Sequence, residues 1–311
     1  MNPLLATLGG KLTERWLNLL VLPGALFLAA TAVGATLGHR HWHDVDRLRT
    51  TLDDLAADPV LDRTGTAALL VALALLAATA ASLAAQFLGG AIERWRLRFG
   101  HDPFSRARTA RRARQWRERD ARFDEAVGHA HRTTTGSDGS GGSVTDRGRA
   151  LERVHALAEA RDRIALRAPV RPTWYGDRIQ ATAHRLDAAY GVDLAVLWPR
   201  LWLTLPEPAV RRLQSAHDSF SAAARLSAWA VGYALLACWW WPAAAAAVCC
   251  AVVARTRART SLDALAGLIE AAVDVHGREL ATRVGLISPE TSGRLTPDTG
   301  DVMSEVFRKA E

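Results

Sequence analysis

Three histidines at alternate positions, His39, His41 and His43, run directly into Asp44 and Asp46. Imidazole and carboxylate are suitable ligands for zinc, copper or nickel. In an extended segment alternate residues share a face, so three imidazoles could converge there. No second cluster completes such a site. Metal binding and pH sensing by the imidazoles therefore stand beside the plainer reading of a solvated loop. Glu270 and Asp274 share one face of a helical stretch, but His276 points elsewhere, so the pair reads as a solvated, salt-bridged face. Asp177 and His184 are two turns apart and could share a face; no placed serine or cysteine accompanies them as a nucleophile. There is no P-loop, no GxGxxG after a strand, no HExxH and no CxxC. Cys238, Cys249 and Cys250 match no zinc spacing and no secreted disulfide framework, and they read as small buried hydrophobes. No catalytic residue or cofactor is assigned on this basis, and an enzyme is the disfavoured class.

The elements that must position these residues are helical, because strand alternation is scarce. Two apolar runs, 16–38 and 66–92, contain no ionised side chain, and each exceeds the roughly 20 residues needed to cross a ~30 Å hydrocarbon core. A cleaved signal peptide is a poor reading of the first run, because its charged leader is long and its apolar stretch exceeds the usual length. A third apolar region, 226–254, carries Trp239, Trp240, Trp241 and Pro242 in its middle. A tight hairpin places these tryptophans at a membrane interface, where indoles prefer to sit, and puts proline at the first position of the next helix. The expected spans are 16–38, 66–92, 220–240 and 242–257, with Arg225 snorkelling at one end of the third. A three-span arrangement is the alternative.

Charge orients them. The loop 39–65 holds six aspartates and four arginines, whereas eleven arginines fall between Arg94 and Arg122. By the positive-inside rule the second flank is cytoplasmic and both termini are too. The expected location is a bacterial inner membrane. Only Lys11 and Lys309 are lysines, and with the heavy Ala, Leu and Gly usage this looks like the coding bias of a GC-rich actinobacterium. The formal charge of +7 is therefore weak evidence for nucleic acid. Anionic lipid headgroups are the favoured partner of Arg94, Arg96, Arg98 and the arginines after them.

Residues 93–217 read as a basic helical cytoplasmic domain. A charged helix over 104–127 and a second over 149–167 form a hairpin across a Gly/Ser/Thr linker, 133–148. Gly176 and Asp177 open a further helix, which Tyr190 and Gly191 close with a left-handed cap, and Asp193 can cap the next turn. The stretch 194–205 is apolar except for Arg200 and Thr204, with Trp198 and Trp202 four apart on one face. Twelve residues cannot span as a helix. The stretch either lies in the interface, with Trp174, Tyr175, Trp198, Arg200 and Trp202 at headgroup level, or forms a core strip. Beyond the second hairpin, 218–258, an amphipathic helix is expected over 261–286, and 288–311 reads as a polar tail.

The segment PTWYGD (Pro172, Thr173, Gly176, Asp177), then Tyr190, Gly191 and Asp193, then Trp198, Pro199, Arg200, Leu201, Trp202, Leu205 and Pro206 resembles an uncharacterised family of actinobacterial multi-pass membrane proteins. The resemblance covers roughly 171–286. It implies a paired-helix membrane anchor after the tryptophan-rich element and implies no activity. The resulting expectation is an all-α, four-span protein acting as a scaffold or effector that self-associates and recruits a cytoplasmic partner. A small oligomeric channel and a lipid-acting interfacial enzyme are the alternatives.

Overall fold

The computed structural model describes residues 21–39, 43–57, 64–98, 100, 102–135, 144–290 and 293–308. Among these, every regular element is a helix: α1 Leu22–Leu37, α2 Val45–Ala56, α3 Thr64–Leu97, α4 Pro103–Thr135, α5 Val144–Asp162, α6 Trp174–Tyr190, α7 Leu194–Trp202, α8 Glu207–Leu236, α9 Ala243–Arg283 and α10 Pro297–Arg308. The chain divides into two compact units. Unit 1 comprises 1–93 and 219–258, and unit 2 comprises 94–218 and 259–311.

Unit 1 is packed through its small residues. Ala78, Ser82, Ala85, Ala223, Ala224, Ala228, Ala247 and Ala254 are buried, while Leu69, Leu70, Val71, Leu76, Phe87, Leu235, Val248 and Val252 are exposed. Phe220, Leu236, Leu37 and Val21 are also buried, so the interior of unit 1 is mostly, though not wholly, made of small residues while many large apolar side chains are exposed. A side chain at Gly24 would collide with the carbonyl of Ala78 on α3, and one at Gly89 would stand 3.0 Å from the Cα of Arg225 on α8. Gly34 faces Leu236 and Trp240. Gly38 meets nothing within 4 Å and ends α1, its N–H donating to Gly34 O.

Phe27 stacks against Trp229 and Tyr233 at 5.6 and 5.4 Å between ring centroids, and Gly34, two turns on, lies against Leu236 and Trp240. α1 and α8 therefore run in the same direction. Gly89 meets Arg225 while Ser221 donates to Glu93 Oε2 at 2.9 Å, so α3 runs opposite to α8. The third apolar region breaks at 237–242, and the two helices expected on either side of its tryptophans are formed.

Among the described residues, one helix, 65–97, is by length and composition long and apolar enough to cross a membrane, and only 11% of its most apolar window is buried. Leu22–Leu37 is apolar but shorter. Of the four expected spans, α3 alone thus meets both criteria. α1 is 16 residues, about 24 Å of helix, and residues 16–20 of the first expected span lie outside the described set. The apolar stretches of α8 and α9 run on into turns that carry Arg225, Arg255 and Arg257.

Unit 2 has an ordinary aliphatic core. Leu186, Val192, Leu197, Leu201, Leu213, Val273, Leu280 and Met303 form one buried cluster from α6 to α10. α4 and α5 make the expected hairpin, but their helices reach Thr135 and back to Val144, so the linker narrows to 136–143, which lies outside the described residues. α9 is continuous to Arg283, so the fourth expected span and the amphipathic helix are one element. The polar tail is also revised. Pro297–Arg308 is helical, and its Met303 is fully buried. Residues 45–56 of the acidic loop form a helix too.

Close approach at Gly24 and Gly89 sets a measurable cost. Gly24→Leu and Gly89→Leu each overpack unit 1 and should destabilise it by about 1–3 kcal/mol. Gly90→Leu, where nothing lies within 4 Å, should leave the thermal unfolding midpoint in detergent unchanged. An equal loss at all three positions would contradict this account.

Candidate functional site

The sequence motifs converge on three joints of unit 2. The first is built on α6. Thr173 is extended and caps the helix, its hydroxyl accepting from the N–H of Gly176 at 3.1 Å and donating to the carbonyl of Arg96. Asp177 in the first turn is 7% exposed. Its Oδ1 accepts from the backbone N–H groups of Val170 and Arg171 at 3.0 and 2.8 Å, and its Oδ2 accepts from Arg112 Nη1 at 2.5 Å. The Arg112 fork also donates to the carbonyls of Arg171 and Ile164, each at 2.6 Å. One turn further along α4, Trp116 Nε1 donates to Ala165 O at 2.9 Å. Arg171 in turn donates to Leu97 O at 3.2 Å and to Gln180 Oε1 at 2.7 Å. Burial draws its guanidinium below the ordinary arginine value, against the pull of the Asp177 charge.

The two aromatic residues of the same segment each carry an arginine. Arg96 lies over the Tyr175 ring at 5.0 Å and Arg259 over the Trp174 ring at 4.7 Å. Arg259 also donates to Arg163 O at 2.9 Å. PTWYGD therefore grips the last turn of α3 and the part of α9 that begins at Arg259. Tyr175 is buried, which removes it from the headgroup role expected for it.

The second joint is Tyr190–Asp193. Gly191 adopts φ 64°, a left-handed cap open to glycine without strain, and its N–H donates to Asp187 O at 2.7 Å. Asp193 caps α7 by accepting from Ala195 N at 3.0 Å. Its own N–H donates to Ser304 Oγ at 2.9 Å, and its Oδ2 pairs with Arg308 at 3.0 Å. A side chain at Gly300 would meet the carbonyl of Tyr190. This joint is the seat of α10.

The third joint is α7. Leu197 and Leu201 are 1% and 0% exposed, and Trp198 and Trp202 pack half-buried beside them with ring centroids 5.8 Å apart. Of the two readings of 194–205, the core strip is the arrangement found. The reason is Arg200, which does not reach outward. It donates to Val196 O at 2.7 Å and to Phe307 O at 3.0 Å, and it lies over the Phe307 ring at 5.0 Å. Pro199 lies inside the helix on its exposed side. Pro172 is buried.

The remaining candidates separate. His39 and His43 are exposed, His41 lies outside the described residues, and among the described residues no group of three or more His, Cys, Asp or Glu could hold a metal ion. His184 is exposed while Asp177 is buried. Cys238 and Cys249 are exposed and Cys250 is half-buried, which corrects the expectation of buried thiols; they sit on the apolar surface of unit 1. Trp239 and Trp241 are exposed, and Trp240 packs on Gly34. Arg94 is exposed, Arg96 is buried, and Arg98 pairs with Asp102 at 3.4 Å.

Glu270 accepts from Thr182 at 2.9 Å and from Arg185, with Arg178 at 3.7 Å. Burial acts to raise its carboxyl, but the bonds from Arg185 and Thr182 and the two positive charges outweigh it and hold the group below the ordinary value. Asp274 accepts from the Tyr190 hydroxyl at 2.8 Å, and that bond, aided by burial, raises the tyrosine. An open cleft of about 390 Å³ between α4 and α5 is lined by Arg122, Glu125, His129, Arg153 and Leu157, without a nucleophile–base pair. No protein-family model, no curated protein and no solved structure matches the chain. The motif residues are thus joints, a role hidden in sequence because their remote partners lie 65 to 115 positions away.

Two measurements test these joints. Asp177→Ala leaves Arg112 buried without its counter-charge and should cost about 3–5 kcal/mol, read by thermal unfolding, with Arg112→Ala/Asp177→Ala losing less than the sum of the single changes. Additive losses would remove the pair. For Glu270 the folded pKa lies below the unfolded one. Its contribution is therefore full above the unfolded value and is lost as pH falls through the folded value. Glu270→Gln should lower stability at neutral pH and flatten the acid limb of the pH–stability curve, and an unchanged acid limb would refute the ion cluster.

Proposed function

We propose that the protein is a four-span integral protein of a bacterial inner membrane, with both termini and unit 2 cytoplasmic, acting as a non-catalytic scaffold. In this reading unit 1 self-associates and unit 2 recruits a cytoplasmic partner. The observation that carries the membrane reading is the packing of unit 1, which exposes Leu69, Leu70, Val71, Leu76, Phe87, Leu235, Val248 and Val252 over an interior made mostly of alanine, glycine and serine. The helix directions support the span number. α1 and α8 run together and α3 runs against α8, as in a chain that crosses back and forth, and the exposed Trp239 and Trp241 fall at the turn between α8 and α9. The likeness of the 171–286 motifs to a multi-pass family agrees. The non-catalytic reading is supported by the engagement of Asp177, Asp193, Arg200 and Glu270 in bonds that build unit 2.

The test is alkaline extraction followed by thiol labelling. The protein should stay in the pellet. In a Cys249→Ala/Cys250→Ala background, Cys238 should react with an impermeant maleimide in intact spheroplasts, whereas Glu152→Cys should react only after lysis. Release by alkali, or labelling of Glu152→Cys in intact spheroplasts, would overturn the reading. The scaffold role further expects a cross-linkable oligomer that is electrically silent in a planar bilayer; a steady current would make it a channel.

A further inference from the structure

We infer that the N-terminal half of α4 lies on anionic phospholipid headgroups, an inference that rests on the membrane reading proposed above. By the 3.6-residue repeat, Ser105, Arg112 and Trp116 share one side of α4, and Arg111 and Arg114 fall on the other. The first side is occupied: Ser105 is buried, and Arg112 and Trp116 are bonded to the 164–177 segment. Arg106, Arg111, Arg114 and Arg117 are all exposed. No aspartate or glutamate occurs between 103 and 117. Among the described residues Arg106, Arg111 and Arg114 have no ion-pair partner, and Arg117 donates only to its own helix, to Ala113 O.

Elsewhere in unit 2, Arg161, Arg178, Arg185, Arg211, Arg283 and Arg308 each pair with a carboxylate. Four exposed guanidinium groups within twelve residues, with no carboxylate among them, ask for anions from outside the chain.

The identity of those anions follows from what surrounds the cluster. Phe104, on the outward side with Arg111, is 73% exposed. An exposed phenylalanine among arginines is the composition of a helix that rests in a headgroup layer with its aromatic ring at the acyl boundary. Residues 98–102 alone join α3 to α4, so Pro103 stands no more than roughly 20 Å from Leu97. Leu97 ends the helix that is long and apolar enough to cross a membrane. A single-stranded nucleic acid would need several aromatic faces for its bases; Trp95 and Trp116 are engaged, Arg108 covering the first at 5.0 Å and the second bonded to Ala165, which leaves Phe104 alone.

The experiment uses the full chain in lipid nanodiscs of phosphatidylcholine alone or of equal parts phosphatidylcholine and phosphatidylglycerol. A spin label is placed at Ala107→Cys, with Cys238, Cys249 and Cys250 replaced by alanine, and a control label at Glu152→Cys. In anionic discs the Ala107 label should gain contact with oxygen and lose contact with a water-soluble nickel chelate. The Glu152 label should stay aqueous in both lipids. The gain should vanish in neutral lipid and in the variant with Arg106, Arg111, Arg114 and Arg117 changed to glutamine. That variant keeps Arg112 and Trp116, and its unfolding midpoint should match the parent's. A label at Ala107 that stays aqueous in anionic discs would overturn this inference alone, whereas a protein that fails to enter discs at all would overturn the membrane reading. Salt-sensitive retention of single-stranded DNA, lost in the glutamine variant without any lipid effect, would reassign the face to nucleic acid.

Discussion

Unit 2 depends on one buried carboxylate. Asp177 has lost most of its water and accepts two backbone N–H groups and an arginine in return. An anion taken out of water persists only if its partners are held in place, and here those partners belong to α4 and to the segment before α6. The same arginine that neutralises the carboxylate also binds the carbonyls of Ile164 and Arg171. A fork of this kind serves several acceptors in one plane, which lysine cannot do. The path of the chain between α5 and α6, a stretch without regular structure, is therefore fixed by side chains. Through Thr173 and Arg171 the same node reaches the last turn of α3.

The two units pack differently with the same alphabet. In unit 2 leucine, valine and methionine are driven inward, and charged residues pair around them. In unit 1 most of the buried side chains are alanine, with Phe220 and Leu236 among them, and many leucines and valines are exposed. Three helices, α3, α8 and α9, contribute residues to both units.

Much of this was legible locally. Helix ends at Gly191 and Asp193 were read from capping chemistry, because a cap depends on residues a few positions apart, whereas α6 starts earlier than expected, at Trp174, with Thr173 rather than Gly176 and Asp177 at its cap. The amphipathic stripe of Leu262, Leu265, Ile269, Val273 and Leu280 was legible for the same reason, although Val284 at its end is exposed. The helix break at the tryptophans was readable from Pro242. α10 was missed, because twelve residues with three acidic side chains and a glycine carry little helical signal of their own. That helix is held by Arg200, Asp193 and the core around Met303. Likewise the reach of Arg112 to Asp177 spans 65 positions, and no local pattern announces it. The reading of 194–205 as interfacial failed on Arg200, whose partner Phe307 is equally remote in sequence.

The core of unit 2 is assembled from two stretches of chain with 219–258 between them. During synthesis α6 and α7 leave the ribosome long before α9 and α10. Leu186, Leu197 and Leu201 then have no complete cover, because Val273, Leu280 and Met303 do not yet exist. An unfinished apolar surface of that kind is sticky. It stays unfinished while 219–258 is made, and only the chain beyond that segment can close it.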